Sequence, residues 1–141
     1  MKYPRIWIAA HGGEIGAATQ EDAPTQALAI LGRSDNNIVR CHVARHPNTS
    51  ADTLAEMAAG PGWQLLLDQY LAANPKTPKA ALREIFVRVR PRPGGNDVMW
   101  DFARNPNTPI DILKAIAEEY SRKAWAPLRD LIDENIRSRR Q

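Results

Sequence analysis

His42 and His46 stand four residues apart, beside Cys41, the chain's only cysteine. On a helix that spacing puts both imidazoles on one face, the geometry of a metal pair. No second cysteine or carboxylate motif completes a ligand set. His46 also occupies a position that later copies of the same motif fill with asparagine, so it reads as a helix-end residue and no metal is expected. His11-Gly12-Gly13-Glu14 has the outline of an oxyanion-hole loop. The chain lacks the Gly-x-Ser-x-Gly nucleophile that such a loop serves, and a plain N-terminal turn is expected instead. The phosphate-binding patterns Gly-x-x-x-x-Gly-Lys-Ser/Thr and Gly-x-Gly-x-x-Gly are missing as well. Carboxylates are scattered rather than paired. No catalytic residue or cofactor is assigned, and the chain is read as not an enzyme.

Basic residues offer a different chemistry. Arg83, Arg88, Arg90 and Arg92 form the densest cluster, and Arg137, Arg139 and Arg140 a second. Guanidinium groups contact phosphates well, so these are the candidate nucleic-acid contacts. The plainer reading is a solubilising loop and tail. The net charge of +3 and pI near 9.3 allow nucleic acid or an acidic partner without requiring either.

These residues must be positioned by a repeated element. His46-Pro47-Asn48-Thr49, Asn74-Pro75-Lys76-Thr77 and Asn105-Pro106-Asn107-Thr108 are copies of one tetrapeptide, each followed five residues after its threonine by Leu54, Leu82 or Leu113. A tandem array of this kind is a solenoid. After each motif comes a helix with apolar residues at i, i+3 and i+4: Leu54/Met57/Ala58, Leu82/Ile85/Phe86 and Leu113/Ile116/Ala117, with Leu28/Leu31/Gly32 as a worn first copy. Pro24, Ser50, Pro78 and Pro109 fall at the expected first helical position. Thr49, Thr77 and Thr108 are placed to cap the helix that follows. Before each motif a second helix reads Val39-x-x-x-Val43-Ala44, Leu67-x-x-x-Leu71-Ala72 and Val98-x-x-x-Phe102-Ala103. It stops at Pro47, Pro75 or Pro106, with Asn74 and Asn105 suited to a left-handed end conformation. Ala17 and Ala18 take the second-helix core positions of the worn first unit. The leucine spacings are 26, 28 and 31 residues, and the extra length before the last unit, residues 87–96, reads as a loop. Trp125, Leu128, Ile132 and Ile136 predict a capping helix over about 125–137. The organisation expected is one all-α domain over 1–141, an α-solenoid of about four helix pairs spanning roughly 17–118.

The units resemble the leucine-rich repeat variant, a bacterial helical repeat with the pattern Val-Arg-x-x-Val-Ala-x-Asn-Pro-x-Thr-Pro-x-x-x-Leu-x-x-Leu-Ala. Val39-Arg40-Cys41-His42-Val43-Ala44-Arg45-His46-Pro47-Asn48-Thr49 and Phe102-Ala103-Arg104-Asn105-Pro106-Asn107-Thr108-Pro109 carry the likeness. The resemblance implies units of one helix and a shorter, sometimes 3-10-like, helix stacked into a right-handed superhelix. The family period is shorter than the spacings here. Some members hold a cysteine-ligated iron–sulfur cluster. With Cys41 alone, no such cofactor is carried over. The family does not imply one activity.

A wheel of about 100° per residue sets one side of the second helices opposite the core. That side holds Cys41, His42 and Arg45, then Gln69, Tyr70 and Ala73, then Trp100, Asp101 and Arg104. Stacking aligns them as a stripe on the concave surface. Arg45, Tyr70, Trp100 and Arg104 are of the types enriched at binding hot spots and are the candidate contacts for a protein partner. The rival arrangement turns Tyr70 and Trp100 inward. The leading functional expectation is a protein-binding adaptor or scaffold, with nucleic-acid binding as the alternative. The longest apolar run near the start, Ile6 to Ala10, is too short for a signal-peptide core, and no stretch is long enough to span a membrane. With one cysteine, a reduced cytoplasmic setting is expected.

Overall fold

The apolar periodicities fold, in a computed structural model that describes residues 3–60, 64–90 and 95–139, into ten α-helices and one 3-10 turn, with no strand among the described residues. The helices are α1 (Pro4–Ala10), α2 (Gly13–Ala18), α3 (Thr25–Leu31), α4 (Asn37–Arg45), α5 (Ala51–Ala59), α6 (Leu65–Ala73), α7 (Lys79–Val89), α8 (Gly95–Arg104), α9 (Ile110–Glu119) and α10 (Ala126–Ser138), with the 3-10 turn at Lys123–Trp125. Helices α2, α4, α6, α8 and α10 pack in succession as one row. In the other row α1 packs on α3 and α5 on α7, and α9 closes against α8 and α10. The result is an all-α solenoid of stacked helix pairs. Helices α1 and α2 are part of it, packing on α3 and α4.

The repeated apolar positions form the seam between the rows. Leu28, Leu54, Leu82 and Leu113 are completely buried, as are Val39, Val43, Leu71, Val98 and Phe102. Ala44, Ala72 and Ala103 are buried where one second-row helix approaches the next. The seam has an N-terminal cluster around Leu28, Leu31 and Val43 and a larger one running from Leu54 to Ile132; Met57 packs against both. Gly32 keeps that junction close, since a Cβ there would meet the Thr53 methyl at 3.1 Å and the Met57 sulfur at 3.2 Å. No helix among the described residues is long and apolar enough to cross a membrane.

Four local expectations are corrected. Pro24, Ser50, Pro78 and Pro109 are N-cap residues with extended ψ, one position earlier than anticipated. The threonines cap the helix behind them rather than the one ahead: Thr49 donates to the Val43 carbonyl at 2.7 Å, Thr77 to Leu71 at 2.6 Å and Thr108 to Phe102 at 2.8 Å. Asn74 is extended rather than left-handed, and no described residue other than glycine has positive φ. The span read as a loop is shorter than expected. Val87 to Val89 complete α7, with Val89 fully buried, and α8 begins at Gly95.

The motif asparagines reach across the stack. Asn74 Nδ2 donates to the Ala44 carbonyl at 2.8 Å, while its Oδ1 accepts from the Lys76 N–H at 2.9 Å. Asn105 Nδ2 donates to the Ala72 carbonyl at 2.7 Å and to the Asn74 carbonyl at 3.0 Å, and its Oδ1 accepts from Asn107 N–H at 2.8 Å. His46 copies the pattern: Nδ1 accepts from the Asn48 N–H at 3.0 Å, so Nε2 carries the proton and donates to the Gln20 carbonyl at 2.7 Å. Helix α10 adds a further rung, with Asn135 Nδ2 on the Ala103 and Asn105 carbonyls. A parallel set runs one turn outward, from Asn48 Nδ2 to Ala23 O, Lys76 Nζ to Pro47 O and Asn107 Nδ2 to Thr77 O.

Leu82 lies midway along this seam with no exposed surface. Leu82→Ala should lower the unfolding free energy by roughly 2–5 kcal/mol in urea titration; a loss near zero would mean that the repeat register is misplaced.

Candidate functional site

The last turns of α4, α6 and α8 carry the residues anticipated for partner binding. Arg45 is exposed at the end of α4, and Tyr70, on α6, packs partly against the core. The Arg45 guanidinium carbon stands 4.7 Å from the Tyr70 ring centroid, and Nη2 donates to His42 Nδ1 at 2.9 Å. Trp100 is likewise half-buried on α8, with the Arg104 guanidinium carbon 5.7 Å from its ring centroid one turn away. The four residues therefore come together as two arginine–aromatic pairs, one between adjacent helices and one within a helix. Each ring is partly buried against the core and has a guanidinium over it, an arrangement that combines the two orientations weighed for Tyr70 and Trp100. Cation–π contacts of this kind contribute about 0.5–1 kcal/mol at exposed sites.

Between the ends of α4 and α6 lies a groove of about 410 Å³ lined by Pro47, Tyr70, Ala73 and Pro75, with Arg45 and Lys76 at its margins. In sequence the motif prolines read as helix stops and Lys76 as part of the motif, not as the lining of a groove. Cys41, on the same helix, is buried. Burial pushes its thiol pKa up, with Arg45 and Arg40 partly opposing, which suits a packing residue rather than a nucleophile.

Asp101 lies between Trp100 and Arg104 on α8. Partial burial raises its pKa to about 6; the Arg104 charge lowers it, and the neighbouring Asp97 charge raises it further. An Asp or Glu was never among the anticipated contacts, and only the fold shows which of the scattered carboxylates is half-buried.

The candidate nucleic-acid arginines are placed differently. Arg88 donates from Nε and Nη2 to both oxygens of Asp68, at 3.0 and 2.5 Å, and from Nη1 to the Ala58 carbonyl at 2.6 Å. Asp68 is only 2% exposed, so this bidentate pair joins α5, α6 and α7 inside the stack. Arg83 pairs with Asp111 and Arg90 with Glu119, both near the surface. Arg92 lies outside the described residues. The one charge in the run Leu65-Leu66-Leu67-Asp68 was the available signal for a buried pair. Arg88 and Asp68 also border a cleft of about 540 Å³ at the opposite end of α4 and α6. A further ion pair there joins Arg33 to Glu56.

His42 and His46 do not converge on a metal: both nitrogens of His46 are engaged in the ladder, and His42 faces Arg45. Among the described residues no group of three or more His, Cys, Asp or Glu could hold a metal ion. His11 stacks on Trp7 with ring centroids 3.9 Å apart; His11 and Gly12 form the turn between α1 and α2, and Gly12 and Gly13 have φ of 90° and 76°.

A carboxyl whose pKa is higher folded than unfolded makes the fold most stable when protonated. Stability should therefore fall as pH rises from the unfolded value near 4 through about 6. Asp101→Asn should remove that slope in urea unfolding series. At pH 7 it should stabilise by about 1 kcal/mol, since water at a half-exposed carboxyl screens much of the burial penalty. Comparison with family models, curated proteins and solved structures returns no significant match for this chain.

Proposed function

We propose that the chain is a non-enzymatic adaptor, built from repeats of the leucine-rich repeat variant kind, that binds a protein partner on the second-row face of α4, α6 and α8. Arg45, Tyr70, Trp100 and Arg104 are the contact residues in this reading, and a reduced, cytoplasmic setting suits the single buried cysteine. The observation that carries it is the pair of half-buried rings, each with a guanidinium over it, one of them (Tyr70) lining an apolar groove. Aromatic and arginine side chains already held by packing lose little freedom on binding, which favours a preformed recognition surface. Nucleic-acid binding is the weaker reading because Arg83, Arg88 and Arg90 each meet a carboxylate.

Anisotropy titrations with labelled single- and double-stranded oligonucleotides separate the two. At physiological salt the adaptor reading predicts dissociation constants weaker than about 100 µM. For a captured protein partner, Trp100→Ala should cost on the order of 2 kcal/mol, about 30-fold in affinity, with the variant still folded at the assay temperature. Micromolar oligonucleotide binding that Arg90→Ala weakens and Trp100→Ala spares would transfer the function to nucleic acid.

A further inference from the structure

Five described arginines meet carboxylates: Arg33 pairs with Glu56, Arg83 with Asp111, Arg88 with Asp68, Arg90 with Glu119 and Arg137 with Glu134. The cations of the groove between the C-terminal ends of α4 and α6 belong to none of these pairs. No Asp or Glu lines it. Its two cations contact a ring, an imidazole and a backbone carbonyl: Arg45 lies over Tyr70 and against His42, and Lys76 Nζ donates to the Pro47 carbonyl at 2.5 Å. Both cations keep exposed surface. Between them the floor is apolar, with Ala73 exposed on it and the Tyr70 ring forming one wall. Its volume of about 410 Å³ falls at the small end of ligand pockets, enough for one anchoring side chain and its backbone.

We propose that this groove seats an apolar side chain of an acidic peptide segment, whose flanking carboxylates meet Arg45 and Lys76. The inference rests on the adaptor reading and adds the partner's chemistry to it. Apolar floor and unopposed positive margins together select a segment with Asp or Glu on either side of an aliphatic or aromatic residue. A nucleic acid meets the margins but is the poorer fit to the groove: Arg45 already lies over the Tyr70 ring, the one aromatic lining it, where a base would stack.

The test is a phage-displayed library of random dodecapeptides selected on the immobilised full chain. The enriched peptides are then synthesised and titrated against wild type, Arg45→Glu and Ala73→Trp, with Trp100→Ala as the comparison outside the groove. Arg45 and Ala73 lie at exposed positions, and unchanged thermal unfolding establishes that both groove variants are folded. The proposal expects enriched peptides rich in Asp and Glu around an apolar residue. It also expects at least a 10-fold loss of affinity for each variant and weaker binding as salt is raised. Enriched peptides that are neutral or basic, or whose binding is indifferent to Ala73→Trp but lost with Trp100→Ala, overturn the groove proposal and leave the adaptor reading standing. Failure to enrich any peptide overturns the groove proposal and leaves the adaptor reading to the oligonucleotide and Trp100→Ala measurements.

Discussion

A helix that ends inside a stack leaves its last carbonyls where water cannot serve them, and an unpaired buried carbonyl costs about 1–3 kcal/mol. This chain meets that constraint once per repeat with the same three residues. Proline ends the helix. Threonine donates its hydroxyl back to a carbonyl of the helix just ended. Asparagine donates to carbonyls of the preceding repeat and accepts from its own turn. The motif is thus a device for ending closely stacked helices without orphaned polar groups. Its side chain must offer a donor and an acceptor at once. Neutral histidine does so with its two nitrogens, which is why His46 serves in the first copy.

The ladder also sets the candidate site. The second-row helices end side by side because each rung ties one terminus to the next, and the groove between α4 and α6 opens beside those rungs, with Pro47, Pro75 and Lys76 of the motif itself as lining. At the other end of α6 the Arg88–Asp68 pair fixes α5, α6 and α7 together. A buried pair of this kind is costly to break by removing one partner. Helix α6, which carries Tyr70, is thereby held at both ends.

Much of this was legible before the fold was known. The leucine and valine registers named the seam, because burial on one face of a helix must repeat at helical spacing. The direction of the threonine bond was not legible, since a hydroxyl between two helix ends can donate to one or accept from the other. The asparagine rungs were missed because their acceptors lie about thirty residues away in sequence, on a neighbouring repeat. Helix α10 was read only as a cap. Leu128-x-x-x-Ile132-x-x-Asn135 nonetheless repeats the spacing of Val98-x-x-x-Phe102-x-x-Asn105, hidden because no proline follows it. The partners of the arginine cluster were hidden for a related reason: charge is visible in sequence, but Asp68, Asp111 and Glu119 meet it only when the repeats stack.

The most direct test of the ladder is urea unfolding of Asn105→Asp, which keeps the side chain's shape and its acceptor but removes both donors. It also sets a carboxylate against the Ala72 and Asn74 carbonyls. The account predicts a loss of about 3 kcal/mol or more at neutral pH, well beyond an ordinary surface substitution. A variant within about 0.5 kcal/mol of the parent would contradict the claim that these rungs hold the stack together.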